Sequence, residues 1–329
     1  MAEPARPGST DVAAARPRRR AALLPLDYAR GLGIGMAELV PGVSGGTVAL
    51  VTGVYEELIA SASHVLSAVR ALVTGPDRVA TARLELARTD WRLVVPVLLG
   101  MATAVLFVAG VMSGFVEDHP EHARGLFAGM VAVSVLVPLR MVREDAAAQP
   151  ASRRPIAVDV LVVLGAAVVA FLLVGLAGGG AVSDPPAPVV FGAAAVAICA
   201  LVLPGVSGSY FLLAIGLYAT TLGAVDDRDL GYVAVFAAGA VTGLACFVPV
   251  LHLLLTRHRR TTLLVMAGLM IGSLRALWPW QGGPHAAEGT GDLVAPYAPV
   301  AGPLLLMAVG AAVVAVLVVV EARGARTEG

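Results

Sequence analysis

The chain has 329 residues, of which 58% are hydrophobic and 14% are charged, and its mean hydropathy is +0.84. This composition is typical of a polytopic membrane protein and excludes an ordinary soluble domain. The formal net charge is zero, which argues against a nucleic-acid partner. The two cysteines and six histidines show no metal-ligand spacing, so neither a metal nor another cofactor is predicted.

The N-terminal segment, residues 1–22, is rich in Ala, Pro and Arg. It is predicted to be a disordered cytoplasmic tail whose arginine run, residues 18–20, anchors the topology. No typical apolar core and small-residue cleavage site follow this run, so a cleaved signal peptide is not predicted.

The first apolar region, residues 28–60, is interrupted by a motif that cannot continue a helix, because proline lacks an N–H group and glycine favours turns. The motif consists of Pro41, Gly42, Val43, Ser44, Gly45, Gly46 and Thr47. The arm that precedes it would be only about 20 Å long as a helix, at about 1.5 Å per residue, and is too short to cross a membrane. The region is therefore predicted to be a re-entrant hairpin that enters and leaves on one side.

Six later stretches approach the ~20 apolar residues that a bilayer requires. They are residues 93–115, 123–142, 156–177, 231–255, 262–278 and 300–320. With the first hairpin not crossing, the arginine-rich loops 70–92 and 143–155 fall on the same side as the N-terminal tail. The loop 279–299, which has no arginine, falls on the opposite side. The positive-inside rule then places both termini in the cytoplasm.

A second copy of the motif lies in the apolar region 189–222 and consists of Pro204, Gly205, Val206, Ser207, Gly208, Ser209 and Tyr210. Each copy is followed by a glycine and a tyrosine at matching distances, Gly53 with Tyr55 and Gly216 with Tyr218. Three crossings separate the two copies, so the second half is predicted to be inverted relative to the first. Helix breaks at corresponding places in two inverted halves point to the binding site of a transporter.

The predicted fold is thus an all-α polytopic membrane protein, an inverted repeat with about six transmembrane helices and two re-entrant helical hairpins. The first repeat covers 23–180 and the second 181–321, each with one hairpin and three crossings, and residues 322–329 form a cytoplasmic tail. The alternative is a duplicated pair of structural hairpins without a transport role.

The two motifs carry hydroxyl groups beside glycines, at the points where new helices begin. Free backbone N–H groups and the positive end of the helix dipole suit an oxyanion such as phosphate. The predicted substrate site therefore contains both complete motifs, and Ser44, Thr47, Ser207, Ser209 and Tyr210 supply its hydroxyls. Alternatively, Ser44 and Ser207 cap the returning helices, and both roles are compatible.

Ionisable groups at membrane depth are costly and commonly functional. Glu38 is either a proton carrier or a structural partner for an arginine. Arg30 is an interface anchor or a ligand, and Arg275 would need a partner, either a phosphate or Glu38. Supporting roles at the site are assigned to Tyr55, Glu56 and Tyr218. The sequence lacks the familiar catalytic motifs of hydrolases, metalloproteases and NTPases, so the protein is not predicted to be an enzyme.

The residues 33–47 and 53–56, the second motif within 201–210, and the segment 272–280 together resemble the polyprenyl-phosphate transporter family, PopT. The resemblance covers nearly the whole chain apart from its two ends. It implies a flippase in the bacterial cytoplasmic membrane that returns undecaprenyl phosphate, or another polyprenyl phosphate, to the inner leaflet for cell-wall synthesis. Two alternatives remain, a secondary transporter of a soluble anion and a membrane enzyme that acts on the lipid phosphate.

Overall fold

A computed structural model describes residues 23–38, 44–74, 77–107, 115, 118–148, 155–175, 182, 184–205, 207–283 and 291–327. The helices before residue 180 are α1 Leu24–Glu38, α2 Gly45–Val51, α3 Tyr55–Thr74, α4 Arg78–Arg88, α5 Trp91–Phe107, α6 Pro120–Ser134, α7 Leu136–Ala148 and α8 Ile156–Gly175. Those after it are α9 Ala187–Val202, α10 Gly208–Ala214, α11 Tyr218–Asp226, α12 Leu230–Arg257, α13 Arg259–Ser273 and α14 Ala301–Thr327. A two-residue antiparallel hairpin, β1 Gln281–Gly282 and β2 Asp292–Leu293, precedes α14. The described chain is therefore almost entirely α-helical, as predicted.

Several predicted features lie outside the described residues. They are the tail 1–22, the loop residues Pro41, Gly42, Val43 and Val206, and the last two residues.

Four helical segments of the described chain are long and apolar enough to cross a bilayer, and each corresponds to one of the predicted spans. They are Pro120–Ala147, which joins α6 and α7, and Ile156–Gly175, Leu230–Arg257 and Ala301–Val319. The predicted spans 93–115 and 262–278 correspond to α5 and α13, which have 17 and 15 residues. Helix α13 is shorter than the ~20 residues that a full crossing requires, and residues 108–114 of the predicted span 93–115 lie outside the described residues.

The predicted loop 70–92 is also largely helical, because α4 occupies most of it and packs against α3. Alanines fill the contact between these two helices, and His64 on α3 lies 2.7 Å from Glu85 on α4 through its Nδ1 atom. Helix α3 has 20 residues but is less apolar than the four spans, because Glu56, Glu57 and Arg70 interrupt its apolar sequence.

Four close helix pairs organise the structure: α1 with α5, α9 with α12, α6 with α14, and α8 with α13. A glycine in each pair faces the backbone of the partner helix, which lets the two helices approach closely. These glycines are Gly100 on α5, Gly239 on α12, Gly129 on α6 and Gly268 on α13. The last two pairs each join a helix before residue 180 to a helix after it, so the two halves are intertwined.

The outer helices present apolar side chains rather than polar ones. Ile156 and Leu161 on α8 are 80% and 70% exposed, and Leu305 and Val316 on α14 are 66% and 60% exposed. The inner segment formed by α6 and α7 is buried to a much greater extent than α8, α12 or α14. An apolar exterior around a packed interior is the arrangement expected of helices surrounded by lipid.

Candidate functional site

The two motifs contact each other at the centre of the structure. Helix α1 ends at Glu38 and α2 begins at Gly45, while α9 ends at Val202 and α10 begins at Gly208, so both predicted helix breaks are present. The Ser44 hydroxyl donates a hydrogen bond of 3.1 Å to the carbonyl oxygen of Leu203. The backbone N–H of Gly205 donates a bond of 3.1 Å to the Thr47 hydroxyl. Each motif therefore satisfies a polar group of the other.

Glycine makes this contact sterically feasible at two positions. A Cβ atom on Gly46 would lie 3.0 Å from the carbonyl oxygen of Val202 and 3.3 Å from the nitrogen of Pro204. Gly205 has φ +83°, and a Cβ there would lie 2.6 Å from the Cα of Met270 on α13. A side chain at either position would separate segments that touch through their backbones.

The start of α2 differs from the simple capping role that was considered for Ser44. Ser44 occupies the N-cap position, but its side chain makes no capping bond. The Glu38 carboxylate instead accepts a 2.7 Å hydrogen bond from the N–H of Gly45. Because an anion is stabilised at a helix N-terminus, Glu38 already occupies part of the position predicted for a phosphate.

At the second motif, Ser207 is 7% exposed, and its hydroxyl lies 2.9 Å from that of Ser209. The N–H of Phe211 donates to the carbonyl oxygen of Ser207, which begins α10. The backbone of Tyr210 lies in α10, but its side chain is outside the described residues. The second motif thus presents a pair of hydroxyl groups at a helix start, whereas the first presents a carboxylate.

Both motifs are followed by the same second turn. Gly53 and Gly216 have φ values of 71° and 74°. The N–H of the next residue bonds back to the preceding short helix in each case, from Val54 to Ala49 at 3.0 Å and from Leu217 to Leu212 at 2.8 Å. This is the hydrogen bond of a helix-ending motif in which glycine supplies the left-handed residue.

The tyrosines that follow these turns have different environments. Tyr55 is 3% exposed and its hydroxyl donates a 3.0 Å bond to the carbonyl oxygen of Val202, which adds a third link between the two motifs. Tyr218 is partly buried and packs against Leu212 and Leu217. Tyr55 thus supports the contact between the motifs directly, whereas Tyr218 packs within its own half.

The charged residues have partners that sequence reasoning did not assign. Arg30 forms a 2.8 Å ion pair with Asp27, which is fully buried on the same helix. Arg275 lies over the ring of Phe171, with its Cζ atom 4.6 Å from the ring centroid. A Glu38–Arg275 pair is not observed in the described part of the chain, because Glu38 binds Gly45 and Arg275 stacks on α8.

Glu56 takes part in a charged cluster that joins three helices. Its carboxylate accepts hydrogen bonds from the Nη1 atom of Arg259, at the start of α13. The Nε atom of Arg259 donates a 2.8 Å bond to Asp145 on α7. Neither Arg259 nor Asp145 was predicted as a site residue.

Comparison with known proteins identifies the family. The family model described as VCA0040-like, undecaprenyl phosphate translocase-like, matches residues 34–290. The chain belongs to this family. A relative from Vibrio cholerae serotype O1, a polyprenyl-phosphate transporter, is 32% identical over 254 residues, which is 77% of either chain. No solved structure matches the chain.

The match to the undecaprenyl phosphate translocase-like family includes both motifs, Tyr55, Glu56, Arg259 and Arg275. It confirms the resemblance that the motifs indicated in the sequence. Among the residues that the structure describes, no group of three His, Cys, Asp or Glu side chains could hold a metal ion. The polar groups of the site are its hydroxyls, its backbone N–H groups and a few charged side chains.

Proposed function

We propose that the protein is a flippase that carries undecaprenyl phosphate, or a related polyprenyl phosphate, from the outer to the inner leaflet of the bacterial cytoplasmic membrane. The returned lipid would be reused in cell-wall synthesis. The observation that carries the proposal is the contact between the two motifs, which brings two helix starts and several hydroxyl groups together. Such a junction suits a phosphate headgroup, while the apolar exterior leaves the prenyl chain in lipid.

The proposed mechanism uses an inverted repeat. This scheme treats residues 23–180 and 181–321 as equivalent halves. It matches α1 with α9, α5 with α12, α6 with α13 and α8 with α14. The helix pairs support this correspondence, because α1 with α5 matches α9 with α12, and α6 with α14 matches α13 with α8. The repeated turns at Gly53 and Gly216 support it as well. Rocking of one half against the other would expose the motifs to either leaflet in turn.

The test is reconstitution of the purified protein into liposomes that contain a labelled polyprenyl phosphate. A flippase moves the label between leaflets without releasing phosphate and without taking up soluble phosphate. Uptake of soluble phosphate would instead indicate a transporter of soluble anions, and phosphate release would indicate an enzyme. Failure of the folded protein to move the label would overturn the proposal.

Substitution of both motif serines tests whether the two loops form one site. Ser44→Ala leaves the carbonyl of Leu203 without its hydrogen bond, and Ser207→Ala removes one of the two paired hydroxyls. Leaving a buried polar group unpaired costs about 1–3 kcal/mol, so each variant is expected to slow lipid flipping. The double variant is expected to slow flipping more than either single variant. A correctly folded double variant that flips lipid at the wild-type rate would contradict this proposal.

Topology is testable by cysteine labelling. In the proposed arrangement both termini are cytoplasmic, so a cysteine replacing Ala80 on α4 is labelled from inside. A cysteine replacing Asp292, on β2, is labelled from outside and serves as the control. The native Cys199 and Cys246 are first replaced. Labelling of position 80 from outside would show that the first hairpin crosses the membrane, and the inverted repeat would then be wrong.

Proton coupling forms the last part of the proposal. Glu38 is an ionisable group beside the motif contact, and its carboxylate binds the N–H group at which α2 begins. Protonation of Glu38 would remove the charge that strengthens this hydrogen bond, so the protonation state of Glu38 is linked to the position of the first hairpin. An acidic exterior would load the proton outside and the neutral interior would release it, driving the lipid inward.

A further inference from the structure

A cavity of about 350 Å³ lies beside the motif contact. Its lining includes Tyr55, Glu56, Arg140, Glu144 and Arg259, together with several apolar side chains. Residues from the end of the first hairpin form one wall, α7 forms another, and the start of α13 and the end of α14 complete it. The arginine distribution assigns this end of the helices to the cytoplasmic side.

Tyr55 joins the cavity to the place where the motifs meet. The side chain lines the cavity, and its hydroxyl binds the carbonyl oxygen of Val202 in the second half. A headgroup that leaves the motif contact toward this face would therefore pass Tyr55 and enter the cavity. The apolar lining residues, Leu50, Val137, Met141 and Val318, provide contact for the first part of a prenyl chain.

The charged side chains that line the cavity are those of Glu56, Glu57 and Glu144 and of two arginines, Arg140 and Arg259, which are its cationic groups. Arg259 uses Nη1 to bind Glu56 and Nε to bind Asp145, while its Nη2 makes no hydrogen bond within the described residues. Arg140 donates a 2.7 Å bond through Nε to Glu144. The side chains of Arg259 and Arg140 are 33% and 42% exposed, so both are accessible. A guanidinium has five N–H donors in a planar fork that matches phosphate, so both can bind a further oxyanion.

We propose that this cavity binds the phosphate of the transported lipid at the cytoplasmic face, with Arg140 and Arg259 as its ligands. Glu56 holds Arg259 while the cavity is empty, and the phosphate displaces it. The proposal rests on the transport function proposed above and adds a second headgroup position to it. The displaced Glu56 carboxylate is 36% exposed and can be hydrated by water, while Arg259 keeps an anionic partner when the phosphate binds.

The test measures the affinity of farnesyl monophosphate for the purified full-length protein in detergent. Arg259→Gln is expected to weaken binding by ~10-fold or more, since a charge-assisted bidentate contact is lost. Glu56→Gln is expected to tighten binding several-fold, because the competing negative charge is removed. A purely structural ion pair predicts the opposite for Glu56→Gln, which would then lower stability without raising affinity.

Arg260 provides a matched control. It is the neighbour of Arg259 on α13, it is paired with Asp159 on α8, and it does not line the cavity. Arg260→Gln removes the same charge and one ion pair, and is expected to leave the affinity for farnesyl monophosphate unchanged. If Arg259→Gln fails to fold, the Glu56→Gln variant still tests the cavity proposal, because tighter binding of farnesyl monophosphate cannot result from a damaged fold.

Further measurements distinguish a lipid phosphate from free phosphate as the ligand of the cavity. They also distinguish failure of the cavity proposal from failure of the transport proposal. Equal affinity for inorganic phosphate and farnesyl monophosphate would overturn the lipid assignment, and so would equal affinity for farnesol. Wild-type binding by both Arg259→Gln and Glu56→Gln, in a protein that flips lipid in liposomes, would overturn the cavity proposal and leave the transport proposal standing. A wild-type protein that does not flip lipid would overturn the transport proposal, and with it the role of the cavity.

Discussion

Replacing Gly46 by valine is expected to abolish lipid flipping. A Cβ atom at this position would already be 3.0 Å from the carbonyl oxygen of Val202, and valine adds two methyl groups. The two nearest atoms of the second segment, the oxygen of Val202 and the nitrogen of Pro204, belong to the backbone and cannot rotate away, so the motifs must separate, at a cost of about 1–3 kcal/mol for overpacking. The hydrogen bonds from Ser44 and to Thr47 span the same contact and would weaken together, at about 1 kcal/mol each. A combined loss of ~3 kcal/mol corresponds to a roughly 100-fold slower rate.

The rate of flipping in liposomes measures this effect. Gly165→Val is the matched control, because no atom lies within 4 Å of a Cβ built at Gly165 on α8. That variant is expected to flip lipid at the wild-type rate. The interpretation fails if folded Gly46→Val, with wild-type thermal stability in detergent, also transports normally.

Glu38→Gln is expected to remove the stimulation of flipping by a pH gradient. The amide oxygen of glutamine can still accept the bond from the N–H of Gly45, so the hairpin is expected to keep its fold. Glutamine cannot carry a proton, however, and flipping without a gradient is expected to continue. Stimulation by an acidic exterior is therefore expected to fall from its full wild-type value to nothing, as measured in liposomes with an imposed pH difference.

Glu85→Gln is the matched control for this experiment. Glu85 lies on α4, where it contacts His64 and Arg88, and its replacement is expected to leave gradient stimulation intact. Full stimulation of the Glu38→Gln variant would exclude Glu38 as the proton carrier. Because Arg275 stacks on Phe171, neutralising Arg275 is not expected to restore a defect of Glu38→Gln, as it would for a fixed pair.

The broken helices were predictable because their cause is local. Pro-Gly followed by Ser-Gly interrupts a helix in any context, and both breaks occur where the sequence placed them. The length of each span was not predictable in the same way. The predicted span 262–278 continues past Ser273, where α13 ends, and hydropathy does not indicate where a helix stops within an apolar stretch.

The partners of the site residues depended on contacts between distant parts of the chain. Ser44 and Leu203 are 159 positions apart, and Glu56 and Arg259 are 203 positions apart. A single sequence indicates that such groups need partners, but only the packing of the helices selects them. For this reason the sequence suggested Glu38 and Arg275 as partners of each other. In the structure, Glu38 binds the N–H of Gly45 and Arg275 stacks on Phe171.

The intertwining of the halves bears on how such a protein could have arisen. Helix α6 finds its close partner in α14, and α8 finds its close partner in α13, so each half completes the packing of the other. A free half-length chain would leave those glycine-bearing faces uncovered. In the inverted repeat proposed above, two copies inserted in opposite orientations would cover them, so that proposal implies an antiparallel homodimer as the ancestor. Fusion of two such copies into one gene would then have fixed their orientations and allowed the copies to diverge. At the spacing that aligns Pro41 with Pro204, for example, Glu38 in one half corresponds to Leu201 in the other.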